Sequence, residues 1–364
     1  MHSSLPDVSI IVPAYNAADT IARCVESLLA QDYPFDRYKV VVVDNNSSDD
    51  TPSIVRKYPS VTLAFEREAQ TSYAARNRGL ALTDTELVAF LDSDCVADRH
   101  WLGNLVVPFE DPDVGVVGGP RASQIPETGS GLVERFLAQV HVHDERLYHP
   151  SEPKGFPTAN VAYRASVLDQ VGIFDSTMPG GGDVDLAWRV QLYGGYRGVY
   201  VPEALVLHKH RATISGHFRQ FRRYGFSEIV LATLYRRHSL PRRTPKYELR
   251  SMARQIRALL VYVSSFCIRL LRWRRWRSDH LYLASPALWF VLESGNLVGK
   301  LQGLVNTRFF RRNPYPTKAD EVIRSAVATP TMTTFQDHAG HRSTDPLTKI
   351  KGNLDENRGI SQSA

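Results

Sequence analysis

Glu86-Leu87-Val88-Ala89-Phe90-Leu91-Asp92-Ser93-Asp94 is the stretch on which the fold turns. Its apolar run is short and unbroken, as in a strand buried on both faces, and such strands belong to parallel sheets covered by helices. The run then gives way to two carboxylates one residue apart. Strand ends of an open α/β sheet converge on the ligand crevice, so Asp92 and Asp94 are expected at its mouth. Two further acidic stations, Asp44 and the pair Asp183 and Asp185, are likewise expected where hydrophobic strands run out into loops. Carboxylates gathered there without adjacent Lys or Arg would repel one another, which makes a divalent cation a natural guest.

The pattern extends outward from this strand in both directions. Val8 to Val12 is predicted as a strand, ended by Pro13-Ala14-Tyr15-Asn16, and a helix follows from Asp19 or Thr20 with Ile21, Val25, Leu28 and Leu29 on one face. Lys39 to Val43 is a second strand, running into the polar stretch Asp44 to Thr51, and Val61 to Phe65 is a third. A helix is predicted over Thr71 to Leu82. Strand and helix alternating over short connections imply a mostly parallel, Rossmann-like sheet. Further on, the expected elements are a strand at Val114 to Gly119, helices at Gly131 to Tyr148, Arg164 to Val171 and Asp183 to Tyr193, and short strands at Gly198 to Val201 and Leu205 to Leu207.

With 364 residues, 43% hydrophobic and 23% charged, the chain can bury one large α/β core and has length to spare. Its net charge of +6 hides an asymmetry: Lys209 to Arg277 holds 18 Lys or Arg against two acids, +16, which leaves −10 for the rest. Local positive charge beside apolar residues points to an anionic surface. Ala258 to Ile268 is an apolar run too short to cross a bilayer of ~30 Å, which takes about 20 residues, and Leu281 to Val305 is interrupted by Pro286, Glu293, Asn296 and Lys300. Between them, Trp273 and Trp276 interleave with arginines from Arg269 to Arg277, a composition suited to a membrane interface. Three cysteines with no C-x-x-C pair suggest a reducing setting, no signal peptide is visible, and the cytoplasmic face of the cell membrane is the expected location. The expected organisation is an α/β unit over 1–225, a basic, apolar helical segment associated with the membrane over 226–315, and a disordered tail over 316–364.

These residues together resemble the family 2 glycosyltransferases with the GT-A fold, over roughly residues 7 to 225. Ile10 to Asn16 resembles the family's opening strand and turn, Val43-Asp44-Asn45-Asn46-Ser47 its nucleotide-binding loop, Asp92-Ser93-Asp94 its D-x-D metal motif, and Gly182 to Arg189 its acidic catalytic motif. The resemblance implies a nucleotide-sugar donor, UDP-sugars foremost, a glycan or lipid-linked acceptor, and Mg2+ or Mn2+. It implies that Asp44 and Asn46 meet the nucleotide in a pocket lined by Pro13, Ala14 and Tyr15, with Arg76 near the diphosphate. Asp92 and Ser93 would meet the ribose or metal, and Asp94 the metal itself. Asp183 would be the general base of an inverting transfer, with Asp185 as the alternative, because Gly182 stands where the family usually has Glu; Asp185 and Arg189 are otherwise expected to hold the helix and loop in place. Asn160 resembles the acceptor-side turn, with Trp188 also on that side. Gln220-Phe221-Arg222-Arg223-Tyr224 resembles the Q-x-x-R-W element with Tyr for Trp, which would set Gln220, Arg223 and Tyr224 by the acceptor; the alternative, and the preferred reading, is a basic amphipathic helix closing the active site.

His208, just after a closing strand, reads either as a further metal ligand or diphosphate contact, or as plain surface beside Lys209, His210 and Arg211. His141, His143 and His149 with Asp144 and Glu145 read as surface. Two other functions compete. A nucleic-acid-binding protein would use the Arg-rich segment, but no nucleic-acid motif accompanies it and the crevice is acidic, so no nucleic acid is expected as partner. A GT-A-like nucleotidyltransferase would open with a Gly- and Arg-rich phosphate loop, which Pro13-Ala14-Tyr15-Asn16-Ala17 is not.

Overall fold

Strands whose residues are apolar on both sides force helices onto both faces of the sheet. The computed structural model describes residues 5–124, 131–140, 153–209, 213–238, 240, 244–272 and 280–306. The strands are β1 (Val8–Ala14), β2 (Tyr38–Asp44), β3 (Val61–Phe65), β4 (Leu87–Leu91), β5 (Cys95–Ala97), β6 (Val114–Gly118), β7 (Arg121–Ser123), β8 (Asn160–Arg164), β9 (Arg197–Tyr200) and β10 (Val206–His208). The helices are α1 (Ile21–Leu29), α2 (Thr51–Val55), α3 (Ser72–Leu80), α4 (Trp101–Val106), α5 (Leu132–Val140), α6 (Ala165–Val171), α7 (Gly182–Leu192), α8 (Ile214–Leu234), α9 (Pro245–Leu271) and α10 (His280–Asn306).

Seven strands form the main sheet in the order β3-β2-β1-β4-β8-β6-β9, and β5-β10-β7 form a small second sheet. The first four strands are mutually parallel. β8 runs antiparallel to both its neighbours, so its first residue, Asn160, faces Leu91 at the carboxyl edge of β4. Because β1 leads to β2 and β3 on one side and the chain then crosses to β4 on the other, the order reverses beside β1. A crevice at such a switch point is where an open α/β sheet binds ligands.

Alternate residues of each strand divide the core in two. Val8, Ile10 and Val12 pack with Val40 and Val42 against α1 and α4 (Cys24, Leu28, Trp101, Leu105). Ile11, Val41, Val43 and Phe90 point to the other face, against α3 and α7 (Ala75, Leu186, Trp188). The small sheet is equally specific: β10 places His208 opposite Cys95 of β5 and opposite Ser123 of β7. Chain segments distant in sequence thereby meet beside the end of β4.

Position 225, where the sequence suggested that the α/β unit ends, lies in the middle of α8, which continues to Leu234. The helix does not break there because it packs along α10 at backbone distance. A Cβ on Gly225 would come within 1.9 Å of the Asn296 carbonyl oxygen, and one on Gly299 within 1.9 Å of the Arg222 carbonyl oxygen. Among the described residues no helix is long and apolar enough to cross a membrane. The expected helix end at Tyr148 with its histidines, the Trp–Arg stretch beyond Arg272 and the tail over 316–364 lie outside the described residues.

Gly299→Ala is expected to push α10 away from α8 and lower stability by about 1–3 kcal/mol, the usual cost of overpacking. Gly103→Ala has nothing within 4 Å to meet, so this helical position should instead stabilise by about 0.5–1 kcal/mol. Urea unfolding midpoints of the two variants, compared with the wild type, check both signs.

Candidate active site

β1 and β2 end side by side, Ala14 paired with Asp44, and their loops interlock. Asn16 and Asn46 both take left-handed backbone angles, φ 48° and 58°, which asparagine tolerates better than most residues. The Asn16 N–H donates to Ser47 Oγ at 2.9 Å, the Ser48 N–H to Asn16 Oδ1 at 2.8 Å, and the Ala17 N–H to Thr51 Oγ1 at 2.8 Å. Asp44 is buried at the foot of these loops. Its Oδ2 accepts the Ser47 N–H at 3.2 Å, while its Oδ1 has no partner, and neither does Oδ1 of the adjacent buried Asn45. Two buried acceptors without donors are costly unless a ligand supplies N–H groups, as a nucleobase would. Pro13 and Ala14 lie beneath this pocket as buried residues, whereas Tyr15 is exposed and Asn46 half-buried.

Asp92 follows β4 directly. Its Oδ1 accepts Nη2 of Arg76 at 2.5 Å, and Arg76, on α3, is almost wholly buried, lying 5.9 Å from the ring centre of Tyr73. The sequence expectation set Arg76 at the diphosphate; in the structure its Nη2 is bonded to Asp92 and its guanidinium lies beside the rings of Tyr73 and Phe174, while its buried Nε has no partner. Ser93 is half-buried between the two aspartates. Asp94 meets His208, Oδ1 to Nε2 3.5 Å, because β10 pairs with β5. With Cys95 these form, among the described residues, a group of possible metal-ligand atoms, all within 4.8 Å of one another. The carboxylate and imidazole fit a divalent cation such as Mn2+. The Cys95 thiol fits less well: burial, then Asp94 and Asp92, push it well above its ordinary value, so it stays protonated.

Asp183 and Asp185 do not follow a strand as expected: the element before them is α6, and Asp183 stands in the first turn of α7, where the helix dipole favours an anion. Its Oδ1 accepts the Val184 N–H at 3.0 Å. Burial raises its pKa, and the Val184 hydrogen bond, Arg76 and Arg121 offset only part of this. The preceding residue is glycine for a visible reason. The Gly182 N–H donates to the Tyr73 hydroxyl at 2.9 Å, and a Cβ on Gly182 would come within 2.9 Å of the Tyr73 ring. Tyr73 thus fills the space that a glutamate here would need.

Asp185 is different in kind. It is 1% exposed, its Oδ2 accepts Nε of Arg189 at 2.9 Å and its Oδ1 the Tyr235 hydroxyl at 2.8 Å. Arg189 also donates to the carbonyls of Val171 and Ile173. This carboxylate ties α7 to α8 and the turn after α6, and has no surface for a reacting hydroxyl. Two acceptor-side expectations change for the same reason. Asn160 is 1% exposed; it accepts Trp101 Nε1 at 2.8 Å and donates to the carbonyls of Pro120 and Ala204. Trp188 is 2% exposed, edge-on to Tyr235 in the core. Both are buried and support the fold rather than presenting a surface to an acceptor. Gln220 and Tyr224, joined by a 2.7 Å hydrogen bond on α8, and the exposed Arg223 do reach the surface. Tyr224 is also within electrostatic reach of Asp183 and Arg121.

Arg121 and Tyr73 escaped the sequence reading. Arg121, on β7, partly offsets the raised pKa values of Asp183, Cys95 and Tyr224, so it lies within electrostatic reach of both the metal and the base sides. The available signal was a single arginine just beyond the apolar run Val114 to Gly118.

The profile of the family described as "Glycosyl transferase family 2" matches residues 9–172. Glycosyltransferase AglE of Haloferax volcanii is 34% identical over 215 residues, 58% of this chain and 69% of its own. The pre-mycofactocin glycosyltransferase of Mycobacterium tuberculosis is 34% identical over 233 residues, 62% of this chain; the chain spans only 47% of that relative's length. Among solved structures, the mannosyltransferase PcManGT from Pyrobaculum calidifontis, in complex with GDP-Man and Mn2+, aligns with a TM-score of 0.52 at 21% identity, over 84% of this chain and 88% of that one. At that identity the likeness is one of fold, a GT-A-like α/β architecture.

The two acidic residues of α7 should separate in unfolding experiments. Asp185→Asn breaks a buried ion pair and should cost about 3–5 kcal/mol. Asp183→Asn should hold or raise the melting temperature at neutral pH, since burial penalises the charge it removes. That difference should shrink as the pH falls through the raised Asp183 pKa and the wild-type group itself becomes neutral.

Proposed function

The chain belongs to glycosyl transferase family 2, and on that premise we propose that this glycosyltransferase moves a sugar from a nucleotide-sugar, a UDP-sugar foremost, to a hydroxyl of a lipid-linked or polysaccharide acceptor, with inversion at the anomeric carbon. The observation that carries this reading is Asp183: a half-buried carboxylate with a raised pKa, within electrostatic reach of the Arg76 that holds Asp92, and two residues from a second carboxylate that is fully engaged in structure. Asp44 and Asn45 offer their free buried oxygens to the donor's base, with Pro13, Ala14, Tyr15 and Asn46 around it. Arg76 acts through Asp92, fixing that carboxylate toward the ribose side with Ser93.

Asp94 and His208 are the residues that would hold Mg2+ or Mn2+. A cation held there would stabilise the negative charge that builds on the leaving diphosphate. Asp183 takes the proton of the acceptor hydroxyl as its oxygen bonds to the anomeric carbon and the bond to the diphosphate breaks. The products are the glycoside, the nucleoside diphosphate and a protonated Asp183, which then returns its proton to water. Arg121 balances the charge of the carboxylates on both sides of this exchange. Gln220, Arg223 and Tyr224 line the approach of the acceptor. In this reading the enzyme works at the cytoplasmic face of the cell membrane, where its three unpaired cysteines stay reduced.

Asp183→Asn is expected to lower transfer by about 10²–10⁴-fold, the contribution of a positioned general base, while donor affinity stays unchanged. The acid limb of wild-type kcat/KM should lie above the ~3.9 of an unperturbed aspartate. An Asp183→Asn protein with full transfer would contradict the assignment. His208→Ala should raise the cation concentration needed for half-maximal activity by about 10-fold or more, on the scale of losing even a supporting group.

A further inference from the structure

α9 has three distinct sides. Its inner side is fastened to α10: Lys300 Nζ donates to Glu248 Oε2 at 3.1 Å and to Ser251 Oγ at 2.9 Å, and Gln255 Nε2 donates to Asn296 Oδ1 at 2.6 Å. Tyr262 stacks on Trp289 with centroids 6.3 Å apart, and the Arg269 guanidinium lies 4.1 Å from the centre of the Tyr282 ring. Positions 248, 251, 255, 262 and 269 recur at three, four and seven residues, which marks one helix face.

A second face follows the same period. Leu249, Ile256, Leu260, Val263, Leu270 and Leu271 are all exposed, Leu260 at 68% and Leu271 at 86%. They form a stripe along a helix of 27 residues, about 40 Å long at 1.5 Å per residue. A third strip, Arg250, Arg254 and Arg257, runs along one shoulder of that stripe. The only acid in α9 is Glu248, and it is buried against Lys300.

We propose that the outer face of α9 is a docking surface for an anionic lipid bilayer, with the helix lying in the headgroup plane. A helix in water turns its polar side outward, and a long exposed apolar stripe marks an interaction surface. The arginine shoulder selects among partners. A second copy would bring the same arginines together with no acid on either helix to meet them, whereas anionic headgroups complement them. The helix lies on the membrane rather than through it, since its first half carries three arginines and a lysine and no described helix is long and apolar enough to cross.

The surface is mechanically tied to the active site. α9 is fastened to α10, α10 meets α8 at backbone distance through Gly299 and Gly225, and α8 carries Gln220 and Tyr224. A bilayer under α9 therefore sets the height of the acceptor approach. This surface goes beyond the transfer reaction and does not depend on it, because vesicle binding needs neither donor nor acceptor. Its failure would leave the transferase reading standing.

The test is sedimentation of the full chain with vesicles of phosphatidylcholine alone and of phosphatidylcholine with phosphatidylglycerol. The wild type is expected to pellet with the anionic vesicles and to be released as salt rises. Ile256→Glu/Leu260→Glu/Val263→Glu should weaken binding by at least about tenfold, with unchanged circular dichroism, since these side chains face outward. Ile256→Ser/Leu260→Ser/Val263→Ser is the milder variant to read if the first misfolds. Arg250→Gln, Arg254→Gln and Arg257→Gln should each cost about fivefold on anionic vesicles only. Wild type that stays in the supernatant, or a folded stripe variant that binds as wild type does, would overturn the proposal. So would a solution dimer that the stripe variants convert to monomer without any vesicle binding by the wild type.

Discussion

Four carboxylates, Asp44 at the end of β2, Asp92 and Asp94 after β4, and Asp183 in the first turn of α7, each carry a charge that their own surroundings have to answer. The answers differ, and the differences define the site. Asp92 is held by a buried arginine at 2.5 Å. Asp94 faces a histidine across the small sheet. Asp44 is buried with one oxygen satisfied by the loop and one left open. Asp183 sits at a helix N-terminus with burial working against its charge. Neighbouring carboxylates kept in unlike environments can take unlike roles, and that separation is the chemical content of the fold.

The helical extension is part of the same construction. α7 is anchored by Asp185 to Tyr235 at the end of α8, and α8 is pressed onto α10 at backbone distance where Gly225 and Gly299 stand. Asp183 and the aromatic Tyr224 therefore belong to elements that cannot shift independently. The buried Lys300 extends the chain of contacts to α9 through Glu248, while also pairing with Glu228 of α8 at 2.7 Å. A buried ammonium between two carboxylates is weak evidence for stability in itself; it does fix the register of three helices.

What could be read from the sequence was what local pattern dictates. The run Val61 to Phe65 is a strand as expected, and Asp92 follows its strand at the crevice, because unbroken β-branched and apolar residues leave little alternative. The reversed direction of β8 was not legible, since direction is set by which edge is left to pair. Neither was the burial of Asn160, whose partners Trp101, Pro120 and Ala204 come from three remote segments. The choice between Asp183 and Asp185 looked open because Tyr235, which seals Asp185, lies 50 residues away. Gly182 looked like a departure from a motif until Tyr73 was seen to occupy its space.

The central claim is that the strand-end carboxylates Asp44, Asp92 and Asp94 form one donor site completed by a divalent cation. The most direct measurement is the thermal midpoint of the purified protein with UDP-, GDP-, dTDP- and CMP-sugars, each with Mn2+ and with EDTA. The account predicts that one nucleotide class stabilises the fold, by about 2.7 kcal/mol at a hundredfold excess over Kd, and that EDTA removes the effect. Stabilisation that is equal in EDTA, or absent for every nucleotide-sugar, would contradict it.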